Sequence, residues 1–352
     1  MGKRYLFFAT LTYSYTILRP LQKEIWRRGD DVAWFLEDSC PDKLAENEKR
    51  LKTIEEVLEY SPIAVFAAGN YIYDFFPGVK VAVFHGYPIN KRMQKHDDHF
   101  SIRGWFDIYC TQGKSSTLKF KELEAKHRFF KVYETGWCKV DDFYCETAQP
   151  VVRSSRPTIL YGTTFTKGIS SAAILLPQIE KLAATKEWDW IITFHPKLDD
   201  PQLISDYMAM AQKNKNVQIL RDIDGADTYR KADVLLCDTS SIIVEFMLMD
   251  KPVVTYRNTN PGNYLLDVQS VEEVAPAIEK ALTRPKELMD YIYAYTSHHE
   301  GHRDGQNSAR VLDAVDDFIA NHKDGMKKKP LNLVRKLKMR WQVYKKTGKF
   351  YF

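Results

Sequence analysis

The chain has 352 residues, of which 44% are hydrophobic and 28% charged, and this suits two globular domains that each bury a core. No apolar run approaches the ~18 residues of a membrane-spanning helix, so the sequence predicts no such helix. The net charge of +5 is local, because ten Lys and Arg and no acidic residue lie in residues 325–352. The remainder is net acidic, which argues against a nucleic-acid-binding protein.

The cysteines and the first residues indicate where the chain works. Five cysteines are scattered and include no CxxC pair, which favours reduced cytosolic thiols over a disulfide framework or a zinc site. The start of the chain has basic residues and a short apolar run but no clear small-residue cleavage site. It therefore predicts a first β-strand rather than a signal peptide.

Strands alternate with helices along the chain, the pattern of doubly wound parallel sheets. In the first part, strands are predicted at 5–10, 31–36, 63–68, 79–84, 104–111 and 129–134, and helices at 18–26, 50–60 and 114–127. In the second part, strands are predicted at 159–161, 188–194, 217–220, 234–237 and 253–256, and helices at 171–185, 200–213, 241–249, 271–282, 284–295 and 307–321.

Residues 146–157 lose the periodicity and are interpreted as the linker. We therefore predict an α/β protein with domains at 1–150 and 151–322, followed by a basic tail at 323–352.

Residues 232–256 predict a ligand site. A short apolar run ends at Cys237, and Asp238, Thr239, Ser240 and Ser241 follow it before a helix. The carboxyl end of a parallel strand is where open α/β sheets bind ligands, and a helix N-terminus with hydroxyls suits phosphate. The alternative is an ordinary helix capped by these side chains.

Two histidines, His85 and His195, each follow an apolar run and precede turn residues. Histidine moves protons near neutral pH, so one such residue in each predicted domain favours a catalytic pair across a cleft. The alternative for each is a structural histidine.

The sequence predicts no tightly bound metal or cofactor. Asp222 and Asp224 have DxD spacing, but they precede a predicted helix from Ala226, where turn and capping roles are expected. There is no GxGxxG and no P-loop motif.

Further short motifs occur in a fixed order. They are His85-Gly86, Gly136 with Asp141 and Asp142, 159–165, His195-Pro196, 232–235, 238–241, Lys251-Pro252 and 302–310. Together they resemble the CDP-glycerol glycerophosphotransferase family of teichoic-acid and related polymer-forming enzymes. The chain has Tyr87 where that family usually has Thr, and Thr239 where an aromatic residue is usual.

The resemblance implies a GT-B architecture, with an N-terminal acceptor-side Rossmann-like domain and a CDP-donor-binding one facing a cleft. It implies a bacterial enzyme of the EC 2.7.8 class in teichoic acid or capsule synthesis. Such an enzyme transfers glycerol phosphate or a related polyol phosphate from CDP-glycerol or CDP-ribitol to a lipid-linked or glycan hydroxyl.

Roles for individual residues follow from this reaction. His85 is the candidate general base, while His195 and the helix N-terminus at residues 240–241 are candidates to stabilise the leaving CMP. Asp238 is a further catalytic candidate that fixes a histidine or the turn. The candidate donor-binding residues are Thr163, Thr164, Lys167, Thr239, Ser240, Ser241, Glu245 (for the ribose), Arg303 and Asp304.

Two other functions stay open at this point. A GT-B glycosyltransferase that uses a nucleotide sugar in lipopolysaccharide or capsule synthesis would need the same histidines and hydroxyl turn. A catalytically silent binding or scaffold protein would need neither, so the histidine pair argues against it.

The C-terminal tail has the pattern of a helix lying on a membrane. Apolar residues recur at helical spacing from Leu331 to Tyr344, with basic residues around them. The predicted membrane-binding residues are Lys327, Lys328, Lys329, Arg335, Lys336, Lys338, Arg340 and Trp341. We therefore expect a peripheral protein on the cytoplasmic face of an anionic membrane. The alternative is a helix that packs its apolar stripe on the protein.

Overall fold

The computed structural model describes residues 2–88, 98–144, 154–166, 168–195, 198–220 and 225–351. These residues form two units. The first unit contains 2–88, 98–144 and 299–351, and the second contains the described residues from 154 to 298. The chain therefore returns to the first unit at His299, whereas the prediction kept residues up to 322 in the second domain.

The strands are β1 Arg4–Ala9, β2 Asp31–Leu36, β3 Lys49–Arg50, β4 Ala64–Ala67, β5 Val79–Ala82, β6 Ile108–Thr111, β7 Lys131–Glu134, β8 Thr158–Thr163, β9 Asp189–Phe194, β10 Val217–Leu220, β11 Val234–Cys237, β12 Val253–Tyr256 and β13 Leu266–Val268. The α-helices are α1 Tyr13–Arg27, α2 Ile54–Tyr60, α3 Lys114–His127, α4 Ala172–Thr185, α5 Pro201–Lys213, α6 Gly225–Lys231, α7 Ile242–Met247, α8 Val274–Leu282, α9 Lys286–His299, α10 Asn307–Asp317 and α11 Leu333–Thr347.

In the first unit, seven parallel strands have the order β3-β2-β1-β4-β5-β6-β7. β4 and β5 are buried along their whole length, as expected for parallel strands covered on both faces. The direction of winding reverses between β1 and β4. The carboxyl ends of these strands therefore form the switch point at which such sheets bind ligands.

The second unit repeats this scheme with six parallel strands in the order β10-β9-β8-β11-β12-β13. Its core lies around Tyr161, Ile192, Leu236 and Val254. The switch point here lies between β8 and β11. The predicted α/β class with two doubly wound parallel sheets is confirmed. Among the described residues, the short edge strands β3 and β13 were not predicted.

The helix α10 shows why the chain returns to the first unit. The Asp141 carboxylate accepts hydrogen bonds from the backbone N–H groups of Asn307 and Ser308, at 2.8 and 2.7 Å. These are free donors of the first helical turn, so Asp141 caps α10 from elsewhere in the chain. Two of the short motifs, the one around Asp141 and the one at 302–310, are therefore in contact through this cap.

The helix α11 packs on the first unit through Met339 and Val343, which join its hydrophobic core. The predicted apolar stripe faces outward: Val334, Leu337 and Trp341 are 81%, 66% and 51% exposed. The alternative, a helix that packs this stripe on the protein, is therefore wrong, because α11 packs through a different face. Among the described residues, no helix is both long and apolar enough to cross a membrane.

The seven cations predicted to bind a membrane fall into two groups. Lys329 pairs with Asp107 at 2.7 Å, and Lys336 and Arg340 both pair with Asp74 at 3.0 Å, so these three cations hold the tail to the body. The other four predicted membrane-binding cations are exposed. They are Lys327, Lys328, Arg335 and Lys338.

Candidate active site

In the second unit, the side chains around the switch point come from three neighbouring strands. Thr163 ends β8, His195 follows β9, and Asp238 follows β11. Thr163 stands opposite Phe194 in the β8–β9 register, and Cys237 stands opposite Gly162 in the β8–β11 register. The sheet therefore brings these predicted site residues to one edge, where parallel sheets bind ligands.

Asp238 is fully buried and fastens the loop after β8 to β11. Its carboxylate accepts hydrogen bonds from the Thr163 hydroxyl at 2.8 Å and from the N–H groups of Thr164 and Ser171, each at 2.9 Å. Burial raises the pKa of Asp238, while these hydrogen bonds oppose the rise. Of the two predicted roles, the structure favours the turn, because none of the hydrogen bonds between Asp238 and described residues involves a histidine.

Thr163 and Thr164 are buried beside Asp238. The Thr163 hydroxyl donates to the carboxylate and lies 3.0 Å from the Ser170 hydroxyl, so it supports the loop. Their predicted donor-binding role remains a prediction, and Lys167 lies outside the described residues.

The hydroxyl turn offers unused side chains. Ser240 and Ser241 are half-buried, and their hydroxyls form no hydrogen bond with any described residue. The expected side-chain cap is absent, because Ser241 has helical rather than extended dihedral angles. Thr239 differs, since its hydroxyl accepts the N–H of Thr259 at 3.0 Å. Two hydroxyls at the switch point are therefore available to a ligand.

Two further predicted site residues lie near this turn. His195 follows a strand of the same sheet, and Glu245 lies on the helix that follows the turn. The His195 ring packs on Phe165, with ring centroids 4.3 Å apart, and is half-buried. Glu245 is buried on α7 and accepts a hydrogen bond from the Tyr229 hydroxyl at 3.1 Å. Its predicted contact with a ribose remains a prediction.

In the first unit, His85 follows β5 and is exposed. Its Nδ1 lies 3.2 Å from the Ala68 carbonyl oxygen, and its ring stacks on Tyr13 with centroids 5.3 Å apart. A carbonyl can only accept, so this hydrogen bond requires the proton on Nδ1. The lone pair of the neutral imidazole is then on Nε2, where it can take a proton from a substrate.

The turn that carries His85 is fastened at the residues on both sides. The Trp137 indole N–H donates to the Phe84 carbonyl at 3.2 Å, and the Gln112 amide donates to the Gly86 carbonyl at 2.8 Å. The Tyr87 hydroxyl donates to the Glu300 carboxylate at 2.7 Å. The role of Glu300 could not be predicted from the sequence, because no motif or spacing connects it with residue 87.

Arg303 and Asp304 lie in the first unit, whereas the hydroxyl turn lies in the second. Asp304 is exposed and forms an ion pair with Arg310 at 2.5 Å. This pairing lowers the pKa of Asp304 to about 2. Their donor-binding role remains a prediction, and the ion pair indicates that Asp304 orders the turn before α10.

No group of three or more His, Cys, Asp or Glu side chains suited to a metal occurs among the described residues. Asp222 and Asp224, which carry the DxD spacing, lie outside them.

Two doubly wound parallel units with polar side chains at their strand ends define an α/β protein of the GT-B type. Residues 130–317, more than half of the chain, match the family described as CDP-Glycerol:Poly(glycerophosphate) glycerophosphotransferase, and the chain belongs to this family. The predicted resemblance is confirmed, and with it the transferase class. CDP-glycerol is the donor for this family.

Solved structures share the fold at low sequence identity. The wall teichoic acid polymerase TagF is 13% identical, with a TM-score of 0.61 over 90% of this chain and 89% of its own. A putative UDP-N-acetylglucosamine 2-epimerase from Listeria monocytogenes is 12% identical, with a TM-score of 0.59 over 91% and 97%. S. aureus MnaA with UDP is 12% identical, with a TM-score of 0.57 over 93% and 99%. No curated protein matches the sequence.

Proposed function

We propose that the chain transfers glycerol phosphate, or a related polyol phosphate, from a CDP-linked donor to a hydroxyl of a lipid-linked or cell-surface glycan acceptor. Family membership supports the donor class. The observation that carries the residue assignment is the hydrogen bond from His85 Nδ1 to the Ala68 carbonyl, because it leaves Nε2 as a base.

The reaction needs one proton transfer and one displacement at phosphorus. The acceptor oxygen attacks the phosphorus that bears the polyol, and its proton goes to His85 Nε2. The bond between this phosphorus and the bridging oxygen of the pyrophosphate breaks, and CMP leaves with the electron pair. Positioning and stabilisation of developing charge dominate such reactions. The Ser240 and Ser241 hydroxyls and His195 are suited to the leaving CMP, because they lie at the switch point of the second unit.

The donor is tested by incubating the protein with radiolabelled CDP-glycerol, CDP-ribitol and common sugar nucleotides, with and without membranes. Transfer from a CDP-polyol is the expected result. Transfer only from a sugar nucleotide would favour the glycosyltransferase alternative. Release of no nucleotide from any donor in the presence of membranes would favour a binding or scaffold protein.

The tail supports a second part of the proposal, a peripheral location on the inner face of the cell membrane. The stripe of Val334, Leu337 and Trp341 is exposed, and the exposed cations Arg335 and Lys338 lie between its members. Apolar and indole side chains beside cations suit the interface of an anionic bilayer, where each cation contributes about 1 kcal/mol. Such a location would bring the enzyme to a lipid-linked acceptor.

A further inference from the structure

Glu300 is a buried carboxylate that the proposed mechanism does not use. It is 1% exposed, and burial raises its pKa to about 8. It forms no ion pair with any described residue and is held by hydrogen-bond donors instead. Besides the Tyr87 hydroxyl at 2.7 Å, these include the Trp137 N–H at 3.3 Å and the Asn307 side-chain amide at 3.2 Å. Burying a carboxyl group without a cation is costly, because the group must either stay charged away from water or take up a proton, and this suggests that Glu300 serves a function.

The bond to Tyr87 links Glu300 to the turn of His85. Tyr87 is itself buried, with its ring against the edge of Trp137 at 5.2 Å between centroids. Trp137 in turn holds the Phe84 carbonyl through its indole N–H. Glu300 therefore contacts both Tyr87, which follows His85 by two residues, and Trp137, which anchors the residue before it.

The backbone of this turn needs such anchors. Phe84 has φ of 56°, in the left-handed region that costs a non-glycine residue on the order of 1 kcal/mol or more. Surrounding contacts must hold a residue in this conformation. If the anchors were lost, relaxation of Phe84 would rotate the next peptide and move the His85 ring away from the Ala68 carbonyl.

We propose that Glu300 is a positioning residue, which acts through Tyr87 to hold His85 in the orientation in which Nδ1 bonds to the Ala68 carbonyl and Nε2 carries the lone pair. The inference rests on the proposed role of His85 as the base. It also gives a reason for tyrosine at position 87, because its terminal hydroxyl reaches the buried carboxyl group.

The experiment uses the full chain with Tyr87→Phe and Glu300→Gln, each alone and in a His85→Ala background. Tyr133→Phe is the matched control, because the Tyr133 hydroxyl also donates to a carboxylate of the first unit, that of Asp317 at 2.6 Å. Turnover of CDP-glycerol, its binding by calorimetry and the melting temperature are measured for every variant.

We expect Tyr87→Phe and Glu300→Gln each to lower kcat about 10-fold while donor affinity stays within two-fold, since a misplacement of about 1 Å can cost on the order of 10²-fold and a smaller one costs less. In the His85→Ala background they should cause no further loss, because there is no longer an imidazole to position. Tyr133→Phe should keep full turnover.

Several results would overturn the proposal. If His85→Ala lowers turnover but Tyr87→Phe and Glu300→Gln do not, the positioning role is wrong and the proposed function stands. If Tyr87→Phe and Glu300→Gln lower kcat by the same factor with and without His85, their effect is a general structural one and the positioning role is wrong. If His85→Ala itself keeps turnover, the proposed base is wrong and the inference falls with it. If Glu300→Gln fails to fold, the kcat of Tyr87→Phe, alone and in the His85→Ala background, tests the positioning role by itself.

Discussion

The two units share one order for their first six strands, with switch points at β1–β4 and β8–β11, yet their strand ends carry different chemistry. In the first unit, an exposed imidazole sits on a turn with a left-handed residue. In the second, the buried carboxylate of Asp238 holds a loop by hydrogen bonds. The hydroxyls of Ser240 and Ser241 form no hydrogen bond with any described residue.

The difference matches the two roles that we propose for the two strand ends. A proton acceptor needs a lone pair held in a fixed direction, which the hydrogen bond from His85 to Ala68 provides. A phosphate site needs several donors on a rigid frame, which Asp238 provides by ordering the loop after β8. Strand order fixes where a site forms, and the residues after each strand decide what it does.

The first prediction tests whether His195 of the second unit contributes to catalysis. His195→Ala should lower turnover by roughly 10²-fold or more, the usual scale for the loss of a group that stabilises developing charge. The measurement is steady-state turnover of CDP-glycerol, with His127→Ala on α3 as the control. Near wild-type turnover for His195→Ala would leave the proposed catalytic role to His85 alone.

The second prediction concerns the loop that Asp238 holds beside the proposed donor site. Asp238→Ala leaves buried donors from Thr163, Thr164 and Ser171 without an acceptor, so the free energy of unfolding should fall by about 2–4 kcal/mol. Urea unfolding measures this loss. Asp200→Ala, which removes an exposed helix cap on Leu203 at 3.1 Å, should cost only about 1 kcal/mol. Equal losses would contradict a special role for Asp238.

The third prediction tests whether the apolar stripe of α11 binds membranes without affecting turnover of the donor. Leu337→Glu combined with Trp341→Glu should reduce sedimentation with vesicles that contain an anionic lipid by about 10-fold, because each loses apolar contact with the bilayer. Leu118→Glu is the control, since Leu118 on α3 is 64% exposed, close to the 66% of Leu337. Donor turnover in detergent should be unchanged. Equal vesicle binding by the stripe variant and the control would exclude this surface.

Substitution is preferable to deleting residues 326–352. Met339 and Val343 of the tail belong to the core of the first unit. Removing them would expose that core, so a deletion would confuse loss of membrane binding with loss of folding.

The fourth prediction has the smallest expected effect. Ser240→Ala and Ser241→Ala should each weaken binding of CDP-glycerol roughly 3- to 10-fold, because each removes one hydrogen-bonding group from the ligand. Glu245→Gln should act similarly if Glu245 holds the ribose. Isothermal calorimetry measures these affinities, with Ser205→Ala on the exposed face of α5 as the control. Unchanged affinity in all three site variants would place the donor elsewhere.

The sequence predicted the elements with strong patterns. The helix α3 and the strands β10, β11 and β12 have the predicted bounds, because their apolar spacing or short apolar runs end at clear turn residues. The hydroxyl turn was expected at a strand end, and it lies there. The family was predicted from the order of motifs that are weak individually.

What escaped prediction depends on contacts between distant residues. Glu300 and Tyr87 are separated by more than two hundred positions, so no local pattern joins them. The cap that Asp141 provides for α10 explains the return at His299 and is equally invisible along the chain. In the tail, periodicity identified the apolar stripe, but only the fold separates the cations that bind Asp74 and Asp107 from those left exposed.

The central claim is that His85 is the base, and single-turnover transfer from radiolabelled CDP-glycerol to a membrane acceptor tests it most directly. His85→Ala should bind the donor with unchanged affinity and melt at the wild-type temperature, because the side chain is exposed on a turn. Its transfer rate should fall by roughly 10²-fold or more. Transfer by His85→Ala at the wild-type rate would contradict the account.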